Sequence, residues 1–220
     1  MAELILVRHA QASFGAEDYD KLSELGWRQS RWLGEYFAER GIAFDRVVRG
    51  SLRRHAETLA GIAEGLGRAF DADADERLNE YQADVLLRAH TGKSEFQKGG
   101  NRREHFRILR EALYAWTDGE LELETQHRFD AFRARVLGAL AALRSGAAKR
   151  VLVVSSGGPI STILADALGM PLRGVVDLNL QTRNTGITEL QAGASRTHVV
   201  SFNNVPHLDR PDRSGALTYA

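Results

Sequence analysis

Apolar residues are spaced along the chain in two alternating rhythms. Short unbroken runs come first, Leu4-Ile5-Leu6-Val7 and Val151-Leu152-Val153-Val154 being the clearest. Runs of this kind predict strands buried on both faces, as in a parallel sheet. Other stretches have helical period. Over residues 23–40, Leu25, Trp32, Leu33, Tyr36 and Phe37 fall near one face, with Ser23 placed as an N-cap and Gly41 as a stop. A second strand over 46–49 precedes a helix over 52–66 that Gly67 closes, and 70–75 reads as a third strand. Between 81 and 125 the rhythm breaks into polar sequence with helical fragments and Gly92, Gly99 and Gly100. It resumes with an amphipathic helix over 128–143, the 151–154 strand, a helix over 159–168 and two late strands over 185–191 and 197–202. The tail from Pro206 is polar and is expected to lie on the surface.

Strands alternating with helices predict an α/β fold. The expected form is a three-layer sandwich, a mostly parallel central sheet flanked by helices. The irregular stretch predicts a helical cap insertion at about 81–127, over the carboxyl edge of the sheet, within a single domain over 1–220. Ligands in such folds bind beyond the carboxyl ends of the strands.

Composition narrows the function classes. The 29 basic and 29 acidic residues cancel, which argues against a nucleic-acid partner held by bulk charge. The chain has no cysteine, so thiol catalysis, disulfides and thiolate metal sites are excluded. No run is long and apolar enough to predict a membrane partner. The first residues lack a signal-peptide pattern. The expectation is a cytoplasmic protein.

Polar residues collect where strands should end. Arg8-His9 follows the first strand, Arg53-Arg54 opens the helix after the second, and Ser155-Ser156-Gly157-Gly158 follows the central one. Guanidinium forks bind phosphate in bidentate fashion. Helix N-termini add N–H donors, and glycines permit close approach. A histidine whose attacking nitrogen is unprotonated can take the phosphoryl group covalently, and neighbouring arginines favour that form.

In these segments the chain resembles the histidine phosphatase superfamily, which includes the cofactor-dependent phosphoglycerate mutases. Leu6-Val7-Arg8-His9-Ala10-Gln11 is similar to its arginine-histidine-glycine motif, and Leu22 to Gly26 with Gln29 to its first-helix signature. Gly50 to Thr58 resembles the segment of the second arginine, Leu78-Asn79-Glu80 that of the acid, and 151–159 the last core motif. The resemblance implies His9 as nucleophile, with Arg8 and Arg54 holding the phosphoryl oxygens. It implies Glu80 as proton donor and then base for water, with no metal and no cofactor. Gln11, Ser13, Ser156 and Gly157 are expected to touch phosphate or substrate.

One position departs from the family pattern of Ser-His-Gly-Gly, because Ser156 stands where the second histidine belongs. The neutral hydroxyl is a weaker donor than an imidazolium, and losing one transition-state donor costs roughly a hundredfold to a thousandfold. The expected function is a metal-independent phosphomonoesterase, its partner a small phosphorylated substrate or a phosphoprotein. The alternatives are a weakly active or non-catalytic phosphate-binding member and a phosphoglycerate mutase-type phosphotransferase. His55, His90, His105, His127, His198 and His207 are expected as surface or packing residues.

Overall fold

The computed structural model describes residues 1–13, 20–93 and 102–219, with Arg102 by its backbone alone. Gly99 and Gly100 lie outside the described residues. Six strands form one sheet: β1 (Ala2–Arg8), β2 (Arg46–Arg49), β3 (Ala72–Ala74), β4 (Arg150–Ser155), β5 (Ile187–Ala192) and β6 (Thr197–Asn204). Their order is β3-β2-β4-β1-β5-β6. The first four in that order run parallel, while β5 pairs antiparallel with both β1 and β6.

Alternation along β1 and β4 builds the layers. Ile5, Val7, Leu152 and Val154 point to one face, where Leu33 and Phe37 of α1 (Glu24–Glu39) and Leu59 and Ile62 of α2 (Arg53–Leu66) cover them. Leu4, Leu6, Val151 and Val153 point to the other. There they meet α5 (Phe129–Arg144) and α6 (Gly157–Ala167), through Val136, Leu140, Ile160 and Ile163. Both strands are therefore buried on two sides, which is why their sequences are unbroken apolar runs. Ser23 caps α1 by accepting from Gly26 N–H, and Gly67 ends α2 in the left-handed conformation at φ 70°.

Within the irregular stretch lie α3 (Ala83–Thr91) and α4 (Arg102–Thr117). Leu86, Leu113 and Trp116 join the same apolar cluster as β1 and α5, and Trp116 packs edge-on to Phe129 with ring centroids 5.0 Å apart.

Three features differ from the sequence expectation. The third strand is three residues long. A short helix, α7 (Arg173–Asn179), follows α6, where no element was predicted. The tail does not lie loose on the surface: His207, Leu208, Arg213 and Ala216 are buried. Polar side chains anchor it, a device with no periodicity to read. Arg213 donates to the His207 carbonyl and sits over the Trp32 ring. Gln29 donates to Ala216 O and to Thr218 Oγ1. Among the described residues no helix is long and apolar enough to cross a membrane.

Candidate active site

The carboxyl ends of β1, β4 and β2 are level. His9 N–H donates to Ser155 O at 2.8 Å, and Gly50 N–H to Val154 O at 3.0 Å. The three polar segments therefore open onto one edge of the sheet, where parallel strands present their ligand sites.

His9 is buried and held from both sides. Its carbonyl accepts from Asn184 Nδ2 and from Thr185 N–H. Its Nδ1 lies 2.8 Å from Ala10 O. A carbonyl only accepts, so Nδ1 carries the proton and Nε2 keeps its lone pair. Burial pushes the imidazole well below its ordinary pKa, and the Arg54 and Arg8 guanidiniums and His55 push it the same way. The ring is thus neutral near pH 7. Ala10 N–H donates to Thr58 Oγ1, whose hydroxyl donates to Arg54 O, tying the loop after His9 to α2.

Arg8 ends β1, with Nη1 donating to Thr182 O. Arg54 lies in the first turn of α2 and pairs through Nη1 with Asp20. Each guanidinium is a planar fork of five N–H donors, and these bonds help to fix its position. Arg53, beside it, pairs with Glu57 on the surface.

Glu80 reaches the same edge from the segment after β3. Ser155 Oγ donates to Leu78 O, and Arg135 of α5 donates to Glu76 O and Asn79 O, clamping that segment. The Glu80 carboxyl faces Gly158 N–H in the first turn of α6, at 3.2 Å from either oxygen. Burial raises its pKa, against the opposing pull of Gly158, Arg54, Arg8 and Tyr81 N–H. His9, Arg8, Arg54 and Glu80 are therefore one electrostatic cluster.

A Cβ on Gly158 would stand 2.2 Å from Glu80 Oε1 and 2.8 Å from Tyr81 Cδ1. Gly158→Ala is expected to expel the carboxyl and lower kcat for an alkyl phosphate by about a hundredfold, with phosphate binding retained. Steady-state kinetics beside calorimetric phosphate titration checks this, and an unchanged kcat would show that Glu80 has no role from that position.

The remaining predicted contacts divide. Ser156 and Gly157 head α6 at this edge, with Gly157 packed so closely that a Cβ would meet Asn179 Oδ1 at 2.2 Å. Gln11 and Ser13 lie just beyond His9. Gln11 accepts from the Ser23 hydroxyl, and Ser13 N–H donates to Lys21 O. Both bonds bind the loop to the start of α1. Sequence reasoning passed over Asn184, Thr182 and Asn179, which lie outside any motif it used. It placed His55 among surface or packing residues, and the ring is indeed packed, fully buried beside His9 with centroids 5.8 Å apart, a proximity the sequence reading did not draw. The doublet Arg54-His55, echoing Arg8-His9, was the available signal.

The sequence profile described as histidine phosphatase superfamily (branch 1) matches residues 4–205. The chain belongs to the histidine phosphatase superfamily. A relative from Hydrogenobacter thermophilus named "Putative phosphoserine phosphatase 2" is 27% identical over 220 residues, covering 94% of this chain and 98% of its own. Two solved structures share the superfamily fold. Bacillus stearothermophilus YhfR is 21% identical with a TM-score of 0.70, covering 94% of this chain and 99% of its own. The phosphoserine phosphatase H9A mutant of Entamoeba histolytica, in complex with phosphoserine, is 20% identical with a TM-score of 0.64, covering 94% and 100%. In this superfamily member the sheet is six-stranded and mostly parallel, as the sequence predicts.

Proposed function

We propose that the protein hydrolyses small phosphate monoesters through a phosphohistidine on His9. The observation that carries the reading is the state of that ring: neutral, with Nδ1–H on Ala10 O and Nε2 carrying a lone pair, between two arginines. Nε2 attacks phosphorus as the bond to the leaving oxygen breaks. Arg8 and Arg54 take up the charge on the non-bridging oxygens. Glu80, whose carboxyl burial raises above its ordinary pKa, gives its proton to the leaving alkoxide. The resulting carboxylate then takes a proton from water as that oxygen attacks phosphorus. The N–P bond breaks, phosphate leaves and His9 is restored.

Two relatives named for phosphoserine support a small, charged phosphomonoester over a phosphoprotein. Positive charge at the phosphoryl group comes from guanidiniums in this scheme, so a metal has no assigned part. Turnover of phosphoserine and similar monoesters is therefore expected to continue undiminished in excess chelator. Acid quenching during turnover should trap no stable phosphoenzyme, while alkaline quenching should, because phosphohistidine is acid-labile. Activity lost to the chelator and restored by a divalent ion would overturn the scheme.

A further inference from the structure

Ser156 occupies the N-cap of α6, where a serine side chain ordinarily accepts from a first-turn N–H. It makes no such bond. Its Oγ lies instead 2.7 Å from His55 Nε2, across 101 positions of sequence. Both side chains are wholly buried, so each is the other's surroundings. The fold makes room for this meeting. His55 enters beneath the turn after β2, where a Cβ on Gly50 would stand 2.2 Å from its Nδ1. The His55 ring is tilted 43° to that of His9 at 5.8 Å. Ser155, the neighbour of Ser156, accepts the His9 backbone N–H.

We infer that His55 and Ser156 act as one unit on the phosphoryl group: His55 Nε2–H donates to Ser156 Oγ, and the Ser156 hydroxyl proton donates to a phosphoryl oxygen. The inference rests on the phosphohistidine reading above. A hydroxyl has one proton and two lone pairs. Beside an anion the lone pairs are repelled and the proton turns outward, which leaves Oγ to accept from the nitrogen behind it. Burial and the Arg54 and Arg49 guanidiniums hold His55 down to about 3, against the opposing pull of the Gly50 backbone, so the ring is neutral and carries one N–H. Binding of the anion selects the tautomer with that N–H on Nε2. A hydroxyl that accepts in this way is polarised into a stronger donor. Ser156 is then a catalytic residue and His55 a positioning residue that works through it. Together they meet at the head of α6, where sequence alone shows a missing histidine.

Four variants test the pair: Ser156→Ala, His55→Phe, His55→Gln and the double variant Ser156→Ala with His55→Phe. Glutamine offers an N–H at the reach of Nε2, and phenylalanine offers none. Each of Ser156→Ala and His55→Phe is expected to lower kcat on the order of tenfold to a hundredfold, with KM little changed. The double variant should be no slower than the worse single one, and His55→Gln should recover most of the rate. Affinity for vanadate should fall with kcat, and affinity for inorganic phosphate by a smaller factor. Ser156→Ala and His55→Gln introduce no bulk, so they decide the matter should His55→Phe fail to fold. Additive losses overturn the inference, as does glutamine as slow as phenylalanine, or Ser156→Ala at full rate. Turnover that survives His9→Ala overturns the phosphohistidine reading and the pair with it. Turnover that needs His9 and ignores Ser156 overturns the pair alone.

Discussion

His9→Ala should leave a folded protein whose turnover of phosphate monoesters has fallen by at least about 10⁴-fold, the scale on which removal of a covalent nucleophile is felt. The phosphoenzyme seen after alkaline quenching should vanish with it. The fold should persist because the ring itself makes one local bond, to Ala10 O, while Asn184 and Thr185 hold the residue by its backbone carbonyl. An alanine keeps that carbonyl. Phosphate should still bind, since Arg8 and Arg54 are untouched, and with the neutral ring gone the anion loses only packing. The measurement pairs single-turnover kinetics with a melting curve and a phosphate titration. A normally melting variant that still forms an alkali-stable phosphoenzyme would place the nucleophile elsewhere.

Glu80→Gln should separate substrates by their leaving groups. An alkyl phosphate such as phosphoserine departs as an alkoxide and needs a proton. Its kcat should fall on the order of 10²–10⁴-fold. A p-nitrophenyl ester departs as a stabilised anion and should lose far less in the first step. The pH profile carries the same information. Burial raises the Glu80 pKa above that of an exposed carboxyl. The proton needed for departure is therefore present at low pH and is lost as pH rises through the raised value. His9, whose pKa is lowered, stays unprotonated well into acid. The rate for alkyl esters in the native protein should hence be sustained in acid and decline toward alkali, and Glu80→Gln should abolish that decline. Equal losses for both ester types, with the alkaline limb intact, would remove Glu80 from the proton-transfer step.

Much of this arrangement is written in short-range pattern. β1 and β4 are legible because burial on two faces demands contiguous apolar residues. Arg8, His9 and Arg54 are legible because they end or follow a strand or open a helix, so a one-dimensional order maps onto one edge, whereas Glu80 is legible only through the resemblance of Leu78-Asn79-Glu80 to a family segment. What escaped depends on distance along the chain. The His55–Ser156 contact joins residues 101 apart, and neither position carries a periodic signal of it. The buried tail escaped for a related reason. Gln29 accepts from Gln11 N–H through Oε1 and donates to Ala216 O and Thr218 Oγ1 through Nε2. One amide thereby joins the loop after His9 to residues near the end of the chain, and a polar stretch of sequence does not announce such an anchor.

The place of β1 in the sheet also governs how the molecule comes into being. It precedes the other five strands in sequence, yet its two neighbours are β4 and β5, with Leu4 opposite Val151 on one side and Leu190 on the other. Until β5 has been made, an apolar strand has no second edge to pair with. Closing loops of this length is slow, since the entropy is lost before any contact repays it. The nascent chain must therefore carry Leu4-Ile5-Leu6-Val7 unpaired until β4 has been made, a sticky segment exposed to neighbouring chains. The strand that leads into His9 is thus also one that waits on distant sequence for both of its neighbours.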